Sequence, residues 1–148
     1  MEYVEEQGIM LREVDAGTIW NGRPAMKIIK QFLEDIKGRG VNVKVVVLIS
    51  SRARGDWKPW SDIDLLVVID RDENRRKIPV GLIDVKPYTV KELLEGIRKC
   101  EVEVIEAFEY GKVILDDGTW AYMRSEYEKV KRKYGIERYR GGWRVRRK

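Results

Sequence analysis

Ser50-Ser-Arg-Ala-Arg-Gly-Asp-Trp-Lys-Pro-Trp-Ser-Asp-Ile-Asp-Leu-Leu-Val-Val68 places two serines and two arginines ahead of a Gly/Pro/Trp loop, and then two aspartates against an apolar run. The run 65–69 is short and made of branched residues, which suits a strand buried on both faces. Alternation along an extended chain sends Asp62 and Asp64 to one side of it. Two anions side by side repel, and a divalent cation is the usual remedy; hard carboxylate oxygens favour Mg²⁺ or Mn²⁺ over zinc. Upstream, 43–49 is a second branched apolar run and a second predicted buried strand. The segment between the two strands is too long for a tight hairpin. It is the first loop expected to carry function, and a short helix is expected within it.

Working outward, Asn21-Gly-Arg-Pro24 reads as a turn that puts Pro24 in the first turn of a helix. Ile28, Ile29, Phe32, Leu33 and Ile36 then form an apolar stripe, ending near Gly38 and Gly40. Residues 1–20 read as an irregular or extended lead-in. Downstream, 70–77 is a charged connection and 80–85 a third strand, with Asp84 flanked by Ile83 and Val85 as a third acid on an apolar segment. Thr89-Val-Lys-Glu92 has the form of a capping box, opening a helix through Lys99 with Leu93, Leu94 and Ile97 inward. The segment 102–110 is ambiguous between helix and strand, 113–115 is a short strand, and 120–133 is a final helix. The expectation is one α/β (α+β) domain, a mixed sheet with helices packed against it. Its divisions are a lead-in at 1–20, the main domain at 21–118, and a C-terminal helix and basic tail at 119–148.

With 148 residues the chain suffices for one core and not for two full-sized domains. It contains no histidine, which excludes Ser-His-Asp and Cys-His catalysis and histidine-ligated zinc. Proton chemistry falls to carboxylates, lysine or tyrosine. One cysteine, Cys100, excludes an internal disulfide and a multi-cysteine metal site, fits a reducing compartment, and reads as a packing residue. Acidic residues follow Met1 where a secretion signal needs a basic stretch and an apolar run, and no apolar segment is long enough for a membrane helix, so the cytoplasm is expected. Charged residues reach 37% with few Gln and Asn, a thermophile-like balance. Gly17–Pro24 has the outline of a phosphate loop but carries Arg23 and Pro24 where Lys and Ser/Thr are required. Asp70-Arg-Asp-Glu-Asn74 begins like a calcium loop but lacks its turn glycine and bidentate glutamate.

The quoted stretch resembles the signature of the polymerase-beta-type nucleotidyltransferases, Gly-Ser, ten residues, then Asp-x-Asp. Ser51 is followed by ten residues, Arg52 to Ser61, and then by Asp62 and Asp64. Ala53-Arg-Gly55 and Ser61-Asp-Ile-Asp-Leu65 are also similar to the small minimal nucleotidyltransferases, and a looser likeness runs from about Met26 to Gly118, ending in Gly111-Lys-Val-Ile-Leu-Asp-Asp-Gly118. Ser50 stands where the pattern has glycine, so a Cβ and hydroxyl occupy a turn in which backbone approaches phosphate.

The resemblance implies a nucleotidyltransferase fold in which a serine turn opens a helix whose N-terminus receives nucleotide phosphates. Ser51 would contact the terminal phosphates, with Ser50 as a further nucleotide-binding candidate; beside the resemblance, Arg52 and Arg54 read either as nucleotide-binding cations that neutralise phosphate charge or as exposed salt-bridge formers. Asp62, Asp64 and Asp84 would be the catalytic and metal-binding acids, with Mg²⁺ or Mn²⁺ as cofactor and a nucleoside triphosphate, ATP first, as substrate. The implied reaction moves AMP to a hydroxyl on a partner protein, in antitoxin-like fashion, with a HEPN-type RNase as partner. The alternatives are transfer to a nucleic-acid end and a non-catalytic nucleotide- or partner-binding module. Residues 119–148 hold 11 basic and 3 acidic side chains. That tail would either hold nucleic acid, being interleaved with aromatics, or stay solvated or dock on an acidic surface of its own or a partner subunit. A homo-oligomer is compatible with the sequence, and a membrane partner is not expected.

Overall fold

The structure, a computed structural model, describes residues 2–4 and 10–146, with side chains from Leu11 onward. Among the described residues six strands form one sheet in the order β1-β2-β6-β3-β4-β5. They are β1 (Glu2–Val4), β2 (Met10–Arg12), β3 (Val43–Ile49), β4 (Ile63–Ile69), β5 (Ile83–Tyr88) and β6 (Lys112–Asp116). The pairs are antiparallel except β4 with β5, which run parallel, so the sheet is mixed.

The branched runs became β3 and β4 at the centre of the sheet, where strands covered on both faces need apolar residues at every position. Their alternate side chains feed two cores. Val46, Leu48, Ile63, Leu65 and Val67 meet α1 (Ala25–Gly38) through Ile29, Phe32 and Ile36. On the other face, Val45, Val47, Ile49, Leu66 and Val68 meet α3 (Val90–Arg98), α4 (Val102–Tyr110) and α5 (Thr119–Tyr134). There Phe108 stacks between Trp120 and Tyr127, with ring centroids 4.0 and 4.7 Å away. The ambiguous segment 102–110 is helical because Val104, Ile105, Ala107 and Phe108 make one buried stripe. Pro24 is the N-cap of α1, one position before the first turn.

Three readings change. The third strand starts at Ile83, three residues after the expected point, and extends through Pro87 to Tyr88, leaving Val80 fully exposed. Pro87 has no N–H to give a neighbouring strand, but β5 is an edge strand and its open side demands no donor. The lead-in, read as irregular or extended and as lying outside the main domain, supplies an extended strand to the main sheet: β2 pairs with β6, and Ala16 and Ile19 are buried in the α1 core. The basic tail folds into a hairpin of β7 (Glu137–Tyr139) and β8 (Gly142–Arg144). Its two-residue turn is Arg140-Gly141, both at positive φ, as the twist of a tight hairpin requires. Trp143 Nε1 donates to Glu106 of α4 over 3.0 Å, and Arg144 and Arg146 pair with Glu137.

Candidate active site

At the end of β3 the chain turns sharply into α2 (Ser50–Arg54), a helix of five residues. Ser50 makes that turn at φ 63°, in the left-handed region that glycine adopts without strain. The expected helix N-terminus is correspondingly modest: so short a helix sums few peptide dipoles.

Asp64 is the second residue of β4 and half-buried, on the face it shares with Leu66 and Val68. The parallel register sets Asp64 beside Asp84 of β5. Asp62 lies just outside β4, exposed. Burial pushes the Asp64 carboxyl above its ordinary range; a hydrogen bond from the Ser50 hydroxyl opposes this, and the negative charges of Asp84 and Asp62 reinforce it. The turn serine and the three acids are thus electrostatically one group, assembled from the ends of β3, β4 and β5.

Arg52 does not occupy the expected place. It is 1% exposed, and its guanidinium donates to the carbonyls of Ala16 at 2.8 Å, Thr18 at 2.9 Å, Ser61 at 2.9 Å, Asp62 at 3.2 Å and Lys58 at 3.5 Å. It also lies 5.3 Å from the centroid of Trp57, whose ring sits so close over Gly17 that a Cβ there would meet it at 2.3 Å. Desolvation lowers its pKa while the charges of Asp62 and Asp64 oppose that shift. With all these donors spent on backbone, Arg52 binds the lead-in and the loop before Asp62 together and has no face left for phosphate. Arg54 remains at the surface, 3.6 Å from Asp56.

Lys86 is a member of the group that the sequence reading missed. Its Nζ lies 3.1 Å from Asp84 Oδ2. The signal was available: the alternation that links Asp62 to Asp64 also links Asp84 to Lys86.

Carboxylate oxygens suit Mg²⁺ or Mn²⁺ in donor chemistry. The fit is partial in geometry: among the described residues no three His, Cys, Asp or Glu side chains converge closely enough to hold a metal ion. Asp84 is engaged by Lys86, and Asp62 stands outside the strand.

A mixed sheet covered on both faces, with a serine turn and facing aspartates gathered at the ends of three adjoining strands, defines an α/β domain with an acid-lined candidate site. The chain belongs to the nucleotidyltransferase domain family, whose model matches residues 26–136 and so takes in α1 from its second residue, the serine turn, all three aspartates and α5. This bears out the polymerase-beta-type resemblance at the level of the superfamily. Curated proteins offer no match to the chain. No helix among the described residues is long and apolar enough to cross a membrane.

Proposed function

We propose that the chain is a metal-dependent nucleotidyltransferase that moves AMP from ATP to a hydroxyl on a partner protein. The observation that carries this reading is the register of β4 and β5, which sets Asp64 beside Asp84 within reach of the serine turn. Asp62 and Asp64, with Asp84 once freed from Lys86, would hold the divalent cation, which when bound supplies charge neutralisation for the attacking and leaving oxygens. Ser50, Ser51 and the surface cation of Arg54 would receive the triphosphate. The acceptor hydroxyl oxygen bonds to the α phosphorus, the bond from that phosphorus to the bridging oxygen breaks, and pyrophosphate leaves. Asp84 is the candidate to take the hydroxyl proton.

A protein acceptor is favoured over a nucleic-acid end by the fate of the tail. Three of its arginines are engaged within the chain: Arg138 pairs with Glu106 and lies over Trp143, Arg144 pairs with Glu137 and lies over Tyr139, and Arg146 pairs with Glu137. The test offers α-labelled ATP and Mg²⁺ with either a HEPN-type RNase or an oligonucleotide bearing a free 3′ hydroxyl. Label on the protein is expected, with its loss in Asp64→Asn. Label on the oligonucleotide would establish the alternative acceptor. Absence of pyrophosphate release with either would leave a non-catalytic binding module.

A further inference from the structure

Asp84 and Lys86 stand two residues apart on β5, so their side chains leave the same face of the sheet as Asp64. Adjacent strands lie about 4.8 Å apart, and two carboxylates in register at that spacing repel. The chain supplies its own remedy in the Lys86 ammonium, 3.1 Å from Asp84, which also feels the charges of Glu103 and Asp64. Beyond Asp84, Lys86 lines a cavity of about 360 Å³ together with Tyr88, Glu101 and Glu103. Glu103 is held in place there by the Tyr88 hydroxyl. One flexible cation therefore stands between two anionic stations, Asp84 on its own strand and Glu103 at the start of α4.

We propose that Lys86 is the resident counter-cation of the Asp64–Asp84 pair and competes with a divalent ion for Asp84, swinging toward Glu103 when the metal site assembles. The proposal rests on the reading of these aspartates as cation ligands. An ammonium and a divalent cation on one carboxylate repel each other strongly at contact distances, so the two cannot share Asp84 at full occupancy. Lysine suits the exchange, since its charge rides on a four-carbon stem with several rotatable bonds. Among the described residues no three acids converge to hold an ion, and one of the three candidates, Asp84, is engaged by this cation. Lys86 acts through Asp84 and is a positioning residue.

The test measures Mn²⁺ binding to the full chain without nucleotide by electron paramagnetic resonance. It compares the parent, Lys86→Gln, Lys86→Met and, as a control for losing one exposed positive charge, Lys91→Gln on α3. Removing the competitor is expected to tighten Mn²⁺ binding about tenfold, with Lys91→Gln close to the parent. In chelator, the Lys86 variants should melt below the parent, because the aspartates lose their counter-charge, and saturating Mn²⁺ should narrow the gap. A merely structural ion pair would give the melting loss without rescue by Mn²⁺, which overturns the proposal. Unchanged or weaker Mn²⁺ affinity in a folded variant, where the parent binds, overturns the competition and leaves the proposed function standing. Absence of Mn²⁺ binding in the parent and variants alike overturns both.

Discussion

Ser50 adopts φ 63°, where Cβ crowds the following carbonyl at a cost of about 1–2 kcal/mol for a non-glycine residue. Its hydroxyl offsets part of that by donating to Asp64, so the side chain that looked like an obstruction in a phosphate turn also serves inside the protein. The two effects separate by substitution. Ser50→Ala keeps the strain and loses the bond, whereas Ser50→Gly loses both, so urea denaturation should find the glycine variant more stable than the alanine variant by about 1 kcal/mol. Equal stabilities would mean that the turn is not strained. Arg52 makes the opposite case, a charge retained for its geometry. Arg52→Ala leaves the carbonyls of Ala16, Thr18 and Ser61 without their donor and should cost about 3 kcal/mol or more in the same measurement. Arg52→Lys should recover only part of this, since an ammonium lacks the planar fork that reaches several carbonyls at once.

At the scale of elements, α3 begins with a complete capping box, Thr89 accepting from the Glu92 amide and Glu92 accepting from the Thr89 amide. Thr89→Ala should cost about 1 kcal/mol. The Thr89 backbone hydrogen bond, aided by Arg75, holds the Glu92 carboxyl below its ordinary value of 4.5. A group depressed in the folded state contributes stability above its unfolded pKa and loses it as pH falls through the folded one. Glu92→Gln should therefore be less stable than the parent at pH 7, with the difference fading below about pH 4.5, followed by thermal melts across that range. Arg75 also donates to the Pro87 carbonyl on the edge of β5, tying the 3₁₀ turn Asp72–Lys77 to the strand that carries Asp84. The β7–β8 hairpin is held to α4 mainly through Trp143 and Arg138 on Glu106. Trp143→Ala should speed hydrogen exchange of the hairpin amides while protection in β3 and β4 stays unchanged.

For the whole molecule, the sheet separates two apolar layers that share the central strands, so neither can come apart without exposing the back of the other. Ile29→Ala under α1 and Phe108→Ala under α5 should each cost about 3–5 kcal/mol, the usual scale for emptying a buried large side chain. Unfolding should stay a single transition in both variants, with far-UV circular dichroism and tryptophan fluorescence giving coincident curves. Two separated transitions would show that the layers fold independently. The candidate site depends on this coupling: Ser50 hangs from β3, Asp64 from β4 and Asp84 from β5, and β3 and β4 are fixed by both cores.

The sequence by itself determined the central strands, the main helices and the positions of the acids, because each rests on a local rule: branched runs for buried strands, 3.6-residue stripes for helices, a four-residue cap and a fixed spacing from Ser51 to Asp62. What the local rules could not reach are pairings between distant segments. Only the tertiary structure decided that Pro87 belongs to a strand, since that depends on β5 having an open edge. The same holds for the lead-in, which becomes β2 because β6 offers it a partner, and for the tail, where Arg138 pairs with Glu106 and Arg144 and Arg146 with Glu137. Arg52 and Lys86 make the point at the candidate site. Both are cations beside acids in sequence, but burial under the lead-in turns one into a backbone clamp. The parallel register of β4 and β5 places the other beside Asp84, 3.1 Å from its carboxylate, at the edge of the proposed site. A residue's charge is encoded where it stands in the chain, while its partner is set by whichever distant element the fold brings against it.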